Sequence, residues 1–218
     1  RDRYNYRNGT MYSSTVADSY ARLYELARKY DSNLVGAVTW AFEFEDQPWF
    51  AGFRDLSTNG VVKPVLNVFR MFGQMGGNLV EASSTGMIPV DSIVRNSVRN
   101  MPDVGVLASR DNKNASVMLW NYHDVNDTDV TPADIDLKVN VGNDTKKVLV
   151  TRYCIDDSHS NSYSKWIAMG CPQNPDDTQL SELQQAGDLE MTGSPEWKTV
   201  NHGTVKDRVV LPRQGVVL

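Results

Sequence analysis

The sequence predicts an α/β portion followed by an all-β portion, and three observations predict it. Residues 13–77 run in the order helix, strand, loop, helix, as a βα repeat does. Ile135, Leu137, Val139 and Val141 alternate strictly with polar residues, the pattern of an antiparallel strand with one buried face. The period of the apolar residues changes near Asn78, which divides the chain into residues 1–77 and 78–218.

In the first portion, Ser13 or Ser14 can cap a helix whose apolar face is Val16, Tyr20, Leu23, Tyr24 and Ala27, at spacings of three and four. It ends near Tyr30, before the turn residues Asp31, Ser32 and Asn33. Residues 34–42 form an apolar run that reads as a strand buried on both faces of a parallel sheet. An Asn59-Gly60 turn follows, and Pro64 suits the first position of the next helix. That helix carries Val65, Leu66, Val68, Phe69 and Phe72 and stops at Gly73, Gly76 and Gly77. A parallel strand needs neighbours on both edges, and two helices cannot supply them. The sequence therefore predicts that further strands come from residues upstream of Arg1.

In the second portion, residues 104–108 and 116–122 read as strands around the polar turn RDNKN. Residues 148–153 and 205–211 add two more. A polar insertion, DDSHSNSYSKW, and a short helix after Pro175 interrupt them. No internal repeat is visible, and the pattern predicts a β-sandwich.

With 218 residues, the chain can form one large domain or two ordinary ones. Hydrophobic content of 40% and charged content of 22% are those of a globular protein. A net charge of −5, with no cluster of Lys or Arg, argues against nucleic acid or an anionic membrane as the main partner. Residues 34–42, the most apolar run, are far too few to span a bilayer. The opening RDRYNYRNGT has neither an initiator Met nor a signal core, as expected of a processed start or a piece of a longer chain. Cys154 and Cys171 read as two ordinary small side chains or as one bridge; without CxxC or clustered His, neither a metal site nor a cofactor is expected. The triplets at Asn8, Asn114, Asn126 and Asn143 fit the glycosylation pattern, in a chain whose Asn, Ser and Thr content makes chance matches common. The compartment stays open.

WAFEFEDQPWFAGF, residues 40–53, packs three carboxylates and six aromatic rings into fourteen positions. A core strand would not tolerate the acids, and a solvated loop would not need the rings. A sugar site uses both: flat apolar faces for stacking and carboxylates that accept from hydroxyls. Glu43 and Glu45, if extended, lie on one side of a strand roughly 7 Å apart, which is wrong for a pair that must flank a bond. His159, Ser160, Asn161, Tyr163 and Trp166 lie near Asp156 and Asp157, but neighbours in a loop do not supply an activated nucleophile with an oriented base. They read as a hydrogen-bonded loop bracing the two portions.

The segments GAVTWAFEFEDQPWFAGF, TNGVVKPVLNVFRMFGQMGG, WNYHD, YCIDDSHSNSYSKWIAMGCPQ and GSPEW resemble the C-terminal part of glycoside hydrolase family 39, the β-xylosidase family. The resemblance covers nearly the whole chain in the family's order. It implies the last βα units of a (β/α)8 TIM barrel, residues 1–77, followed by a β-sandwich accessory domain, residues 78–218. On that map the helix after Ser13 is the seventh and residues 34–42 are strand eight. Family members are retaining glycosidases whose two carboxylates stand about 5–5.5 Å apart. The family places its acid/base and its nucleophile, both Glu, after earlier strands, so both are expected upstream of Arg1 and no catalytic residue in this chain. The chain alone is expected to be inactive.

The implied substrate is a xylo-oligosaccharide, with other pentosides and uronides as alternatives within the family. Glu45 and Asp46 match the family's acidic pair after strand eight and are expected to bind sugar hydroxyls, or else are solvated loop acids; Glu43 has no clear counterpart. Trp40 is expected as the floor under the sugar, or else as barrel wall, and its peptide bond to Ala41 is expected to be cis. Trp49, Phe50 and Phe53 shape either the pocket rim or a lid packed on the sandwich. Two other classes compete: a non-catalytic carbohydrate-binding β-sandwich module and a structural interaction domain. Only the glycosidase reading accounts for an apolar run at residues 34–42.

Overall fold

The computed structural model describes residues 5–99, 101–126 and 130–218. The chain's opening residues and the Asp127-Thr128 part of one sequon lie outside the described residues. A single turn, α1 (Asn5–Asn8), leads into the long helix α2 (Thr10–Lys29). Extended Gly9 precedes α2, so the helix starts earlier than its apolar spacing suggests. Ser13 and Ser14 are therefore buried within the helix and do not cap it; Ser14 Oγ donates to Gln214 Oε1 at 2.6 Å.

Residues 34–42 are not a strand. Their backbone has no ladder partner among the described residues until the carbonyls of Ala41 and Phe42, which accept from Leu56 N–H at 3.2 and 2.9 Å. An apolar run becomes a buried strand only where neighbours pair with its edges, and no described strand lies alongside. Val35 and Val38 are consequently 90% and 96% exposed.

Beyond this segment the chain follows its local signals. β1 (Ser57–Thr58) and β2 (Val61–Val62) form a hairpin around Asn59-Gly60, whose φ angles of 47° and 76° suit an Asn-Gly two-residue loop. α3 (Pro64–Gln74) opens with Pro64 in its first turn.

Next come β3 (Asn78–Val80), α4 (Val90–Asn96), β4 (Asp103–Arg110), β5 (Ala115–Tyr122), β6 (Ala133–Asn140), β7 (Lys147–Val150), β8 (Tyr153–Ile155) and α5 (Ser162–Ala168). The chain finishes with α6 (Asp177–Gly187), β9 (Glu190–Met191), β10 (Glu196–Thr199), β11 (Thr204–Leu211) and β12 (Val216–Val217). One six-stranded sheet has the order β3-β4-β5-β12-β8-β9, while β6 pairs with β11 and β7 with β10. The expected strand over residues 148–153 is thus two strands in different sheets. α5 was not expected; Asn161 starts it by accepting from Ser164 N–H at 3.0 Å.

Alternation along the strands gives the six-stranded sheet two apolar faces. Met118, Trp120, Ile155 and Val216 pack against Val16, Ala17 and Ala21 of α2 and Val65, Val68 and Met71 of α3. On the opposite face, Leu119, Cys154 and Val217 meet Val209 and Leu211 of β11, with Ile135 and Leu137 of β6 beside them. Gly105 makes room for Trp120: a Cβ there would lie 2.2 Å from the indole.

A buried polar cluster joins α2 to this sheet. Arg22 donates to Asp18 Oδ1 at 3.2 Å, to Asp103 Oδ2 at 2.7 Å and to the Ile88 carbonyl at 2.6 Å. Asp103 Oδ1 accepts from Ile88 N–H at 2.7 Å, and Trp120 Nε1 donates to Asp18 at 3.3 Å. Burial, reinforced by the neighbouring Asp103, pushes the Asp18 carboxyl up to about 7.

Candidate functional site

The acidic-aromatic loop begins where the extended segment ends. Its backbone is tied down from several sides. Ser57 N–H donates to the Phe42 carbonyl at 3.0 Å, Phe50 N–H to Thr58 Oγ1 at 3.0 Å, and Asn8 Nδ2 to the Phe50 carbonyl at 2.7 Å. Trp49 N–H donates to Gln173 Oε1 at 3.1 Å. Beneath the loop, Lys63 and Asp55 form a buried ion pair, and burial lowers the Lys63 ammonium from its ordinary range.

Glu43 is a structural part of this frame. It accepts from Ser57 Oγ at 2.5 Å and from Gly60 N–H at 3.2 Å, holding the Asn59-Gly60 turn against the loop. Nothing in the local sequence signals this, because the partners lie far along the chain.

Trp40, Glu45 and Asp46 behave differently. The Trp40–Ala41 peptide bond is cis, as the resemblance implies. The Trp40 side chain is 74% exposed. Glu45 and Asp46 form an exposed turn, with Asp46 at φ 56°. Neither carboxylate has a hydrogen-bond or ion-pair partner among the described residues. The three residues share one solvent-facing loop, and no hydrogen bond or ring contact joins them. Such a surface offers one flat apolar face and acceptors free for hydroxyl donors.

The other rings of the loop divide. Phe50, only 1% exposed, packs on Tyr163 and Trp166 of α5, with ring centroids 5.2 and 4.9 Å away. With Trp49 they line a cleft of about 330 Å³. Phe50 therefore anchors the loop on α5. Phe53 is exposed, flanked by the guanidinium groups of Arg7 and Arg54.

The polar insertion does brace α3 and β2. Asn67 Nδ2 donates to the Ser160 carbonyl at 3.3 Å, and Ser162 Oγ to the Val62 carbonyl at 2.5 Å. Both cysteines are free thiols. Among the described residues, Cys154, Asp156 and His159 gather three ligand-type atoms within 4.8 Å, a cluster the sequence did not suggest. No described helix is long and apolar enough to cross a membrane.

The comparisons with known proteins agree with one another. The family model described as Glycosyl hydrolases family 39 matches residues 3–204. A β-xylosidase of Caldicellulosiruptor saccharolyticus is 23% identical over 172 residues, which are 78% of this chain and 32% of that protein. The solved GH39 enzyme from Xanthomonas axonopodis pv. citri superposes with a TM-score of 0.68 at 16% identity, covering 97% of this chain and 40% of that one. A GH39 β-xylosidase from Caulobacter crescentus gives 0.63 at 17% identity, over 98% of this chain and 40% of its own. The chain thus spans well under half the length of these relatives and shares their fold over almost all of its own. It belongs to glycosyl hydrolase family 39.

Proposed function

We propose that this chain is the C-terminal part of a retaining β-xylosidase acting on xylo-oligosaccharides. In this reading residues 1–77 are the closing units of a TIM barrel, residues 78–218 are its β-sandwich, and the acid/base and nucleophile Glu lie outside the chain. The observation that carries it is the bare apolar segment at residues 34–42. Val35, Val38, Trp40 and Phe42 are all exposed and their backbone is largely unladdered, which a protein tolerates where another part of the molecule covers it. Strands from the rest of a barrel would pair its edges and bury alternate side chains. Trp40 would then remain at the strand's end, under the sugar, with Glu45 and Asp46 beside it to accept from hydroxyls. A free-standing carbohydrate-binding module leaves α2, α3 and the bare segment unexplained.

Hydrolysis of an aryl β-xyloside tests the reading. The isolated chain should show no turnover above background, while the chain joined to the upstream barrel segment should be active. In that active protein, Glu45→Gln and Asp46→Asn should raise KM more than they lower kcat. Turnover by the isolated chain that vanishes on Glu45→Gln would overturn the placement of the catalytic groups.

A further inference from the structure

Cys154 is the middle residue of β8, and Asp156 and His159 lie on the turn that follows. Cys154 Sγ donates to Asp156 Oδ2 at 3.3 Å, and His159 Nδ1 stands 2.8 Å from Asp156 Oδ1. The N–H groups of Ser158 and His159 donate to the same Oδ1 at 2.8 and 2.9 Å, which holds the carboxylate still. Although burial opposes it, these bonds keep the Asp156 carboxyl below its ordinary value. Burial, and then Asp156 itself, holds the Cys154 thiol protonated well above the ordinary thiol range. As it stands, the carboxylate is satisfied by two side-chain protons. A thiol and an imidazole are also the groups whose sulfur and nitrogen a borderline-soft cation takes as ligands.

The dimensions suit such an ion. Around a tetrahedral zinc with bonds of about 2.3 Å to sulfur and about 2.0 Å to oxygen, those ligands lie ~3.5 Å apart. The sulfur–oxygen distance here is 3.3 Å, and all three ligand atoms lie within 4.8 Å of one another. The ligands lie close together in sequence, on β8 and the turn after it, so gathering them costs little closure entropy. The His159 side chain is partly exposed and gives an entry path, whereas Cys154 is buried. Calcium and magnesium prefer all-oxygen shells and are disfavoured by the thiol and imidazole.

We propose that Cys154, Asp156 and His159 form a binding site for a divalent cation of the zinc class, with a water in the fourth position. On binding, the Cys154 S–H bond breaks, a sulfur–metal bond forms and the proton leaves to solvent. His159 binds through the Nδ1 lone pair with its proton on Nε2, and no electrons are transferred. The site is a clip: the turn it closes leads directly into Ser160 and Ser162, which bond to Asn67 and Val62. It is independent of the glycosidase reading.

Cobalt(II) titration of the metal-free, phosphine-reduced chain tests it. A saturable sulfur-to-cobalt charge-transfer band should appear with the strong visible absorption of a four-coordinate ion, and zinc should displace both. Cys171→Ser should keep the band and Cys154→Ser should lose it. His159→Gln, which leaves the buried thiol in place, should weaken cobalt binding by more than the roughly 10–100-fold that loss of an outer hydrogen-bond partner costs. Absence of the band in excess cobalt, its survival in Cys154→Ser, its loss in Cys171→Ser, or unchanged affinity in His159→Gln would each overturn the site.

Discussion

Two pairs of neighbouring carboxylates sit at opposite ends of this molecule's range of environments. Asp18 and Asp103 are buried, share one guanidinium, and accept from an indole and a backbone N–H. Glu45 and Asp46 stand in solvent with no partner among the described residues. The same functional group is thus structural where cations and N–H groups surround it and open to solvent where they do not. Glu43 lies between these extremes: two positions from Glu45, yet committed to Ser57 and Gly60. Counting partners, and not counting acids, separates the roles.

The largest effect should come from removing the shared cation. Arg22→Met leaves two buried carboxyls without their guanidinium and should cost about 3–5 kcal/mol in urea unfolding. An effect under about 1 kcal/mol would mean that water already reaches the pair.

Acidity should separate the two pairs next. The folded value of Asp18, about 7, lies above its ordinary 3.8. The folded protein therefore keeps a proton that the unfolded chain gives up, and this contribution is complete below about pH 4 and lost as pH rises through 7. His123 works in the opposite sense: burial, with Arg213 beside it, lowers it to about 4, so its contribution is lost as pH falls from 6.5 toward 4. The clean readout is the stability difference between the natural chain and Asp18→Asn, which should shift toward the variant between pH 4 and 7 at up to about 1.4 kcal/mol per pH unit. A pH-independent difference would place the shared proton elsewhere.

Smaller steps sharpen the contrast. Gly105→Ala drives a methyl into the Trp120 ring and should cost roughly 1–3 kcal/mol, with altered tryptophan fluorescence. Ser57→Ala removes the short bond to Glu43 and should cost about 1 kcal/mol. Glu45→Gln and Asp46→Asn should leave the melting temperature nearly unchanged, within about 0.5 kcal/mol. A large loss at either would show that the free pair has structural partners after all.

Local signals in the sequence were read correctly where local physics decides the outcome. Pro64 starts α3, Asn59-Gly60 makes a hairpin turn, and the alternation from Ile135 to Val139 lies on an antiparallel strand half-buried on one face, as expected. Readings that depended on partners elsewhere fared worse. Residues 34–42 have strand composition without a strand's neighbours, and α2 begins early because Gly9 precedes it and Gln214 takes up Ser14. Residues 148–153 look like one strand but serve two sheets, a division made by partners β10 and β12. At the loop, composition and resemblance single out Trp40, Glu45 and Asp46, and all three are exposed. The bonds of Glu43 and the approach of the Cys154 thiol to Asp156 and His159 come only from folding.

The place of β12 carries a consequence for how the chain is made. Val216 and Val217 sit between β5 and β8, opposite Trp120 and Leu119 on one side and Ile155 and Cys154 on the other. This central strand is thus far in sequence from both of its neighbours. Such distant pairing is slow, because a long loop must close before any contact rewards it. Before β12 pairs, the sheet should exist as two halves, β3 to β5 and β8 with β9, each with an unpaired inner edge. Ribosome-bound chains arrested before Val216 should be cut readily by protease between Tyr122 and Tyr153, and chains carrying β12 should resist. Until β12 docks, those edges are the sheet's exposure to aggregation and the surface a chaperone would have to hold.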